Sequence, residues 1–380
     1  MAFRLQVRNY RGLRAVDWSP EGVCALVGAN GSGKTTLLDV PALLGDALDR
    51  GLARALEDHG GIANARNMYA DEREPYDFEI TVGQTTWRLA PVLVGDGFRS
   101  EERLVSGGHV IVARAAGADS ARVFDKDVVV RNELALGLRH SLEIEFPESD
   151  ALPEVLSRYR LYGSYDLAAL RRSGSPDSSE RRLDRRGTNV FSVLRNWRDK
   201  KPDRMRYDFV LEGLREIFAD FFDDLEFEKA AQVVGGSLRL KGDRLHSASL
   251  APDGWFVALL HLTALASTDR EDLIAIDEPE NALHPHAIKL LLERMRSWSR
   301  RHAVTVLLAT HSPVIINDFD NRPEQLFVMQ HGRPVSPVAV TDLKARDWLA
   351  HFALGDLYMR EEFGAPDDPD DAEHRAPHDG

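Results

Sequence analysis

A chain of 380 residues that is 43% hydrophobic and 29% charged holds enough apolar material for one large α/β domain with an insertion, or for two domains. Its formal net charge of −13 excludes a protein that coats nucleic acid over its whole surface, and no apolar run reaches the length of a membrane span. Cys24 is the only cysteine, so no intrachain disulfide forms, and the charges scattered through "MAFRLQVRNYRGLRAV" leave no secretory signal; a cytoplasmic setting is expected.

Residues 2–8 and 22–28 read as strands, with Cys24 an ordinary core residue of the second. The stretch "LVGANGSGKTTLLD", residues 26–39, runs from apolar strand through a glycine-rich bend into a helix over about 34–45, and fits GxxxxGK[ST]. Glycines at 28, 31 and 33 let the backbone turn its N–H groups inward, and the helix points its positive end at the same spot. Lys34 is placed to reach the β- and γ-phosphates of a nucleotide, and the Thr35 hydroxyl to ligate Mg2+. Asn30, Ser32 and Thr36 complete the candidate phosphate contacts. Period-2 patterns in "YDFEITV", "TTWRLAPVLV" and "HVIVARA" predict an antiparallel section over roughly 76–130. Gln84 falls in its apparent hairpin "TVGQTTWRL" and is given no role.

From 150 to 230 helical periodicity dominates, broken by "RRSGSPDSSERRLDRRG", which has the composition of an exposed loop. Between Arg158 and Arg206 there are 14 basic residues against 6 acidic ones, a local balance of +8. The α/β signal then resumes. "GWFVALLHLTALAS" is an apolar helix, "DLIAID" a buried strand, "HPHAIKLLLERMRSWSRRH" an amphipathic helix and "AVTVLLATH" a second buried strand. Two apolar strands joined by a helix form a βαβ unit, so this sheet is expected to be parallel. "DLKARDWLAHFALGDLYMREEFG" is amphipathic and helical, suited to capping the sheet or docking a partner. The acidic end "EEFGAPDDPDDAEHRAPHDG" is expected to be a solubilising tail.

"LIAIDEPENALHPH" places Asp277 and Glu278 at the C-terminal end of a parallel strand, where such sheets bind ligands. Asp277 can hold Mg2+ together with Thr35, and Glu278 can polarise the water that attacks a γ-phosphate. "VLLATHSP" puts His311 one βαβ step away, as a γ-phosphate sensor that steadies that water. His284 and His286 have the spacing of a metal pair, but "LHPHA" opens a helix and no further Cys or His accompanies them, so zinc is not expected there.

These segments, in this order, resemble the ATP-binding-cassette type of ATPase head, and most of all the small prokaryotic AAA-family ATPases related to RecF, SMC and OLD-family proteins. "FRLQVRNYRGLRAVDWSPEGVCALVGANGSGKTTLLD" is similar to that group's opening strand, Tyr-Arg-Gly turn and Walker A. "LIAIDEPENALHPH" is similar to its Walker B and D-loop, and "LLATHSPVIIND" to its switch-histidine segment. "DRRGTNVFSVLRNW" and "LEGLREIFADFFDDLEF" look like its lid insertion. The resemblance covers most of residues 3–330. It implies an α/β fold, a P-loop head with a mixed sheet, an antiparallel β section in the N-terminal half and a helical lid. The implied division is 1–150 and 236–345 for the two parts of the head, 151–235 for the lid, and 346–380 for a C-terminal helix and tail.

The signature that this group carries ahead of a helix, resembling Leu-Ser-Asp-Gly, is matched by "SASLAPDGWFVALL". Asp253 and Gly254 fit, but Ala251 stands in place of the serine, with Ser247 and Ser249 upstream. The resemblance implies that Asp253 and Gly254 complete the ATP site of a second copy, with Asn281 and Ala282 crossing as the D-loop. Catalytic roles then fall to Glu278, His311 and Lys34. The cofactors are ATP and Mg2+. The expected function is a nucleotide-controlled switch or clamp on double-stranded DNA or another nucleic acid, with the arginine-rich stretch on the phosphates. It would dimerise around ATP and serve a separately encoded effector such as a nuclease, in phage defence or DNA repair, with no membrane partner. The alternatives are a transporter's ATPase subunit, or an interaction module that holds ATP without turnover.

Overall fold

The computed structural model describes residues 2–71, 73–94, 97–131, 133–139, 151–329 and 336–363. The chain divides into two compact units, one of Met1–Glu21, Leu26–Tyr159 and Arg322–Gly380, the other of Gly22–Ala25 and Arg160–Asn321.

The first unit opens with β1 (Phe3–Tyr10) and β2 (Leu13–Trp18), an antiparallel pair with Asn9 near the end of β1 and Arg11 in the turn both at positive φ. Strand β3 (Val23–Val27), buried at every position, begins in the second unit and ends in the first. Helix α1 (Lys34–Arg50) follows, longer than the periodicity suggests and with Pro41 inside it, and then α2 (Leu52–Asp58). Strands β4 (Asp77–Val82), β5 (Thr85–Val94), β6 (Gly97–Ser106), β7 (His109–Arg114), β8 (Ser120–Val123) and β9 (Lys126–Val129) form the expected antiparallel section. They extend the first hairpin into a sheet of order β2-β1-β4-β5-β6-β7-β8-β9. Alternation puts Phe78, Ile80, Trp87 and Leu89 in the core. The buried Glu102 carboxylate accepts from Trp87 Nε1 (3.1 Å), Ala135 N (2.7 Å) and Leu136 N (3.0 Å), tying the segment after the sheet onto it. Helix α3 (Ala151–Arg158) closes this part.

The second unit contains β10 (Arg160–Tyr162), α4 (Leu167–Ser173), β11 (Ser175–Pro176), α5 (Val190–Asp199), α6 (Arg204–Ile217), β12 (Phe222–Ala230), β13 (Val233–Leu240), β14 (Arg244–Ser247), α7 (Asp253–Ala266), β15 (Leu273–Asp277), α8 (Pro285–His302), β16 (Thr305–Ala309) and α9 (Pro313–Asn317). Strands β10, β15 and β16 are parallel neighbours, as the βαβ pattern requires. Strands β11, β13 and β12 form a small antiparallel sheet, with β14 on β13. Phe191, Phe222, Trp255 and Phe256 pack edge-on or tilted beneath it, with centroids 5.3–6.4 Å apart.

Two expectations are corrected here. The run after 218 is not helical: α6 stops at Ile217 and β12 begins at Phe222. A register shift between Phe222 and Asp224 breaks the period-2 signal that announces a strand. Nor is "RRSGSPDSSERRLDRRG" simply exposed. Ser175 and Leu183 are buried, Tyr162 Oη donates to Leu183 O (2.9 Å), and Asn189 Nδ2 donates to Glu180 Oε2 (2.6 Å) and Arg182 O (2.9 Å).

The chain ends in the first unit with β17 (Leu326–Val328), β18 (Val338–Ala339), α10 (Val340–Leu343), α11 (Arg346–Leu349) and α12 (Leu354–Met359). Met329 N donates to Val27 O (2.8 Å), carrying the β17 side along the end of β3. The three short helices bury Val340, Leu349, Leu354 and Leu357. The expected acidic tail beyond Phe363 lies outside the described residues. Among the described residues, no helix is long and apolar enough to cross a membrane.

Candidate functional site

The candidate residues fall in two groups, one in each unit. Gly28, Asn30, Gly31, Ser32, Gly33, Lys34, Thr35 and Thr36 belong to the first. Gly28, Gly31 and Gly33 have φ of +149°, +81° and +95°, values that side chains rarely adopt. A Cβ on Gly28 would lie 2.2 Å from Met329 O, and one on Gly33 would lie 2.9 Å from the Leu13 side chain. The loop can therefore follow this course only with glycine at both positions. Helix α1 starts directly at Lys34 with no side chain capping it, so its dipole opens toward the loop. The Lys34 ammonium, almost buried, donates to Gly28 O (2.8 Å) and Ala29 O (3.1 Å), bonds that a phosphate oxygen could replace. Among the described residues, the buried Ser32 hydroxyl has no hydrogen-bond partner. A buried orphan hydroxyl, a cationic donor and a glycine loop at a helix start fit the phosphates of a nucleotide. Tyr358 Oη on α12 also reaches Gly28 O, at 3.4 Å, a contact with no signal in the sequence.

Asp253, Gly254, Asp277, Glu278, Asn281 and His311 belong to the second unit. Asp277 ends β15 level with Ala309 at the end of β16, so the carboxylate and histidine segments leave adjacent strand ends. Close packing fixes the first: a Cβ on Gly163 (φ +150°), just after β10, would lie 2.8 Å from Asp277 O. Glu278 is exposed and sits at φ +49°, a strained conformation for a side-chain-bearing residue. Its N–H donates to Ala309 O (2.8 Å), and its carboxylate accepts from Asn281 Nδ2 (2.9 Å). An exposed carboxylate held in this way can orient a water.

Sequence reasoning missed Glu280. Its Oε1 accepts from Thr310 Oγ1 (2.7 Å) and from His311 N (3.1 Å), clasping the histidine segment to the carboxylate segment. The third acid of "DEPEN" is its only signal in the sequence. It also missed His261, buried on α7, with Nδ1 3.0 Å from Tyr165 Oη. Burial pushes this imidazole down to about 3, so it is neutral at ordinary pH.

The signature-like segment lies against the D-loop. A Cβ on Gly254 would come 2.6 Å from the carbonyl of Ala282, itself at φ +62°, so only glycine fits. The Asp253 carboxylate is engaged by Arg171 at 2.6 Å. His284 caps α8 through its ring nitrogen, accepting from His286 N at 3.3 Å. Among the described residues, no three His, Cys, Asp or Glu side chains are grouped to hold a metal ion.

The arginine-rich stretch is largely neutralised within its own chain. Arg158, Arg171, Arg181, Arg182, Arg186, Arg195, Arg198, Arg204 and Arg206 each pair with an Asp or Glu. Several of these partners, Asp253, Asp269 and Asp272 among them, lie outside the stretch, which is why its local charge count overstates its free positive charge.

The sequence matches no curated protein. Among solved structures the chain is similar to an SMC head bound to the C-winged helix domain of ScpA, with 14% identity, 88% of this chain and 95% of that one covered, and a TM-score of 0.47. The SMC head domain from Thermotoga maritima gives 12%, 89%, 98% and 0.43, and an ATP-binding subunit of an ABC transporter 16%, 94%, 98% and 0.41. A family model described as "AAA domain, putative AbiEii toxin, Type IV TA system" matches residues 116–317, more than half of the chain. On that match, the chain belongs to this AAA-domain family.

Proposed function

We propose that the protein hydrolyses ATP and works as a nucleotide-controlled switch, two copies closing around ATP and opening when it is cleaved. The observation that carries this reading is the phosphate loop, where left-handed glycines, a helix start and the Lys34 ammonium converge on one spot. In this reading Lys34 and the loop residues Gly28 to Thr36 hold the triphosphate. Thr35 and Asp277 hold Mg2+, which would neutralise phosphate charge. Glu278 polarises the attacking water and His311 senses the γ-phosphate. Asp253, Gly254 and Asn281 face the ATP of the second copy. The difference between the ATP-bound and ADP-bound contacts then drives the two-state change.

The test is ATPase activity and oligomeric state of wild type and Glu278→Gln, with and without double-stranded DNA. Wild type is expected to turn ATP over, whereas Glu278→Gln with ATP and Mg2+ accumulates as a dimer with turnover reduced by roughly a hundredfold or more. A variant that stays monomeric with saturating ATP overturns the switch.

For the output we propose a nucleic-acid-linked role through a separately encoded effector such as a nuclease, in the cytoplasm. The setting proposed is phage defence or DNA repair. The ion-paired arginines between Arg158 and Arg206 remove the main support for placing DNA on that stretch. DNA that leaves both turnover and dimerisation unchanged would remove the nucleic-acid part of this reading and leave the switch intact.

A further inference from the structure

The segment Ala251–Gly254 has no hydroxyl where the resemblance expects the signature serine, and a carboxylate, Asp253, stands at the first turn of α7. If that end of α7 faces a triphosphate, the carboxylate opposes its approach. One guanidinium answers both deficits. Arg171 Nη2 donates to Ala251 O (2.7 Å) and pairs with Asp253 Oδ1 (2.6 Å), while the guanidinium carbon lies 5.2 Å from the centre of the Phe256 ring. All three partners belong to residues 251–256. The charge of Asp253 is cancelled and the backbone of Ala251 is fixed by a single planar donor set, a geometry that lysine cannot reproduce.

The helix that carries Arg171 is itself anchored. Asp166 caps α4 by accepting from Ala169 N (2.9 Å), and Leu170 is buried. Gly174 ends the helix at φ +63°, where a Cβ would lie 2.6 Å from Val234 O. Helix α4 packs against the turn Ala248–Leu250 that leads into the segment, and Leu250 projects from that turn 77% exposed.

We propose that Arg171 is the positioning residue that lets this serine-less signature engage the ATP of a second copy, by holding Ala251–Asp253 in place and cancelling the Asp253 charge. The inference rests on the reading above, in which ATP closes a dimer. Because Arg171 lies on a helix of the lid region, it also gives the lid a direct grip on the composite site.

The experiment uses the full chain. In the Glu278→Gln background, light scattering with Mg2+ and ATP is expected to show dimers, and adding Arg171→Ala to weaken dimerisation by roughly tenfold or more. Monomer affinity for a fluorescent ATP analogue should stay within about twofold, because the phosphate loop is untouched. Arg171→Lys, which keeps the charge and loses the fork, should fall between the two. Otherwise wild-type chains carrying Arg171→Ala and Lys34→Ala should each be nearly inactive alone, and mixing them should restore turnover, since one cradle then meets the other copy's intact segment. Restoration on mixing is a readout that a merely structural role would not give. If Glu278→Gln never dimerises, the switch reading fails and this inference with it. If Glu278→Gln dimerises and Arg171→Ala does so equally well, or if mixing restores nothing, the switch stands and the role of Arg171 is overturned.

Discussion

The two groups of candidate residues are made in different ways. The phosphate loop of the first unit is a backbone construction, in which three glycines at positive φ and a helix start do the shaping, and side chains add the Lys34 ammonium and the buried Ser32 hydroxyl among other polar groups. The second unit adds side-chain clasps to its tight backbone approaches at Gly163 and Gly254: Glu280 to Thr310 and His311, Asn281 to Glu278, and Arg171 to Asp253. A backbone construction tolerates no added atom at its tight points. A side-chain clasp tolerates replacement by any group with the same acceptors. Mutations should therefore act with different severity and on different parameters in the two places.

The largest effect is expected at Gly28. An alanine there adds a Cβ 2.2 Å from the Met329 carbonyl at a φ that alanine avoids. A cost of about 2–4 kcal/mol in stability and loss of measurable ATP binding are expected for Gly28→Ala. Thermal unfolding together with nucleotide titration checks it, and wild-type affinity would show that the loop is not shaped as described. Next comes Glu280→Ala, which should lower turnover about tenfold while leaving ATP affinity nearly unchanged, because it releases the His311 segment and not the phosphate loop. Glu280→Gln keeps an oxygen that can accept both bonds and should retain most activity. Equal damage from the two variants would mean that the negative charge of Glu280, and not its clasp, is what matters.

The same contrast decides what could be read from the sequence. Glycines at 28, 31 and 33 before Lys34 announce a backbone shape directly, and the apolar runs at β15 and β16 with α8 between them announce a parallel pair, so this much was legible. The clasps were not. Glu280 has no periodic or spacing cue beyond its neighbours, and Arg171 lies 82 residues before Asp253 in a stretch whose charge count suggested a nucleic-acid surface. Strand β10 escaped because its three residues take their conformation from pairing with Ile274–Ile276, a contact over a hundred residues away. Strand β12 escaped because its bulge interrupts the alternation.

Two buried histidines sharpen the comparison through pH. In the first unit His59, at the end of α2, has Nδ1 2.7 Å from Asp39 Oδ2 and Nε2 2.8 Å from Asp46 Oδ2, both on α1, the helix that begins at Lys34. Burial alone would pull its imidazole down, but the bonds and charges of the two aspartates outweigh it and raise it to about 9. A base whose pKa rises on folding contributes stability that is full below the ordinary value of about 6.5 and lost as pH rises through about 9. His261 in the second unit goes the other way, held down to about 3 by burial, so the unfolded chain takes up a proton there first and stability falls as pH drops below about 6.5. His59→Gln should therefore cost on the order of 2 kcal/mol near pH 6 and little above pH 10. Its unfolding midpoint, measured against wild type across that range, should converge with wild type on the alkaline side. A gap that stayed constant with pH would mean that His59 supports α1 by packing alone, and the phosphate-loop helix would then have no titrating clip.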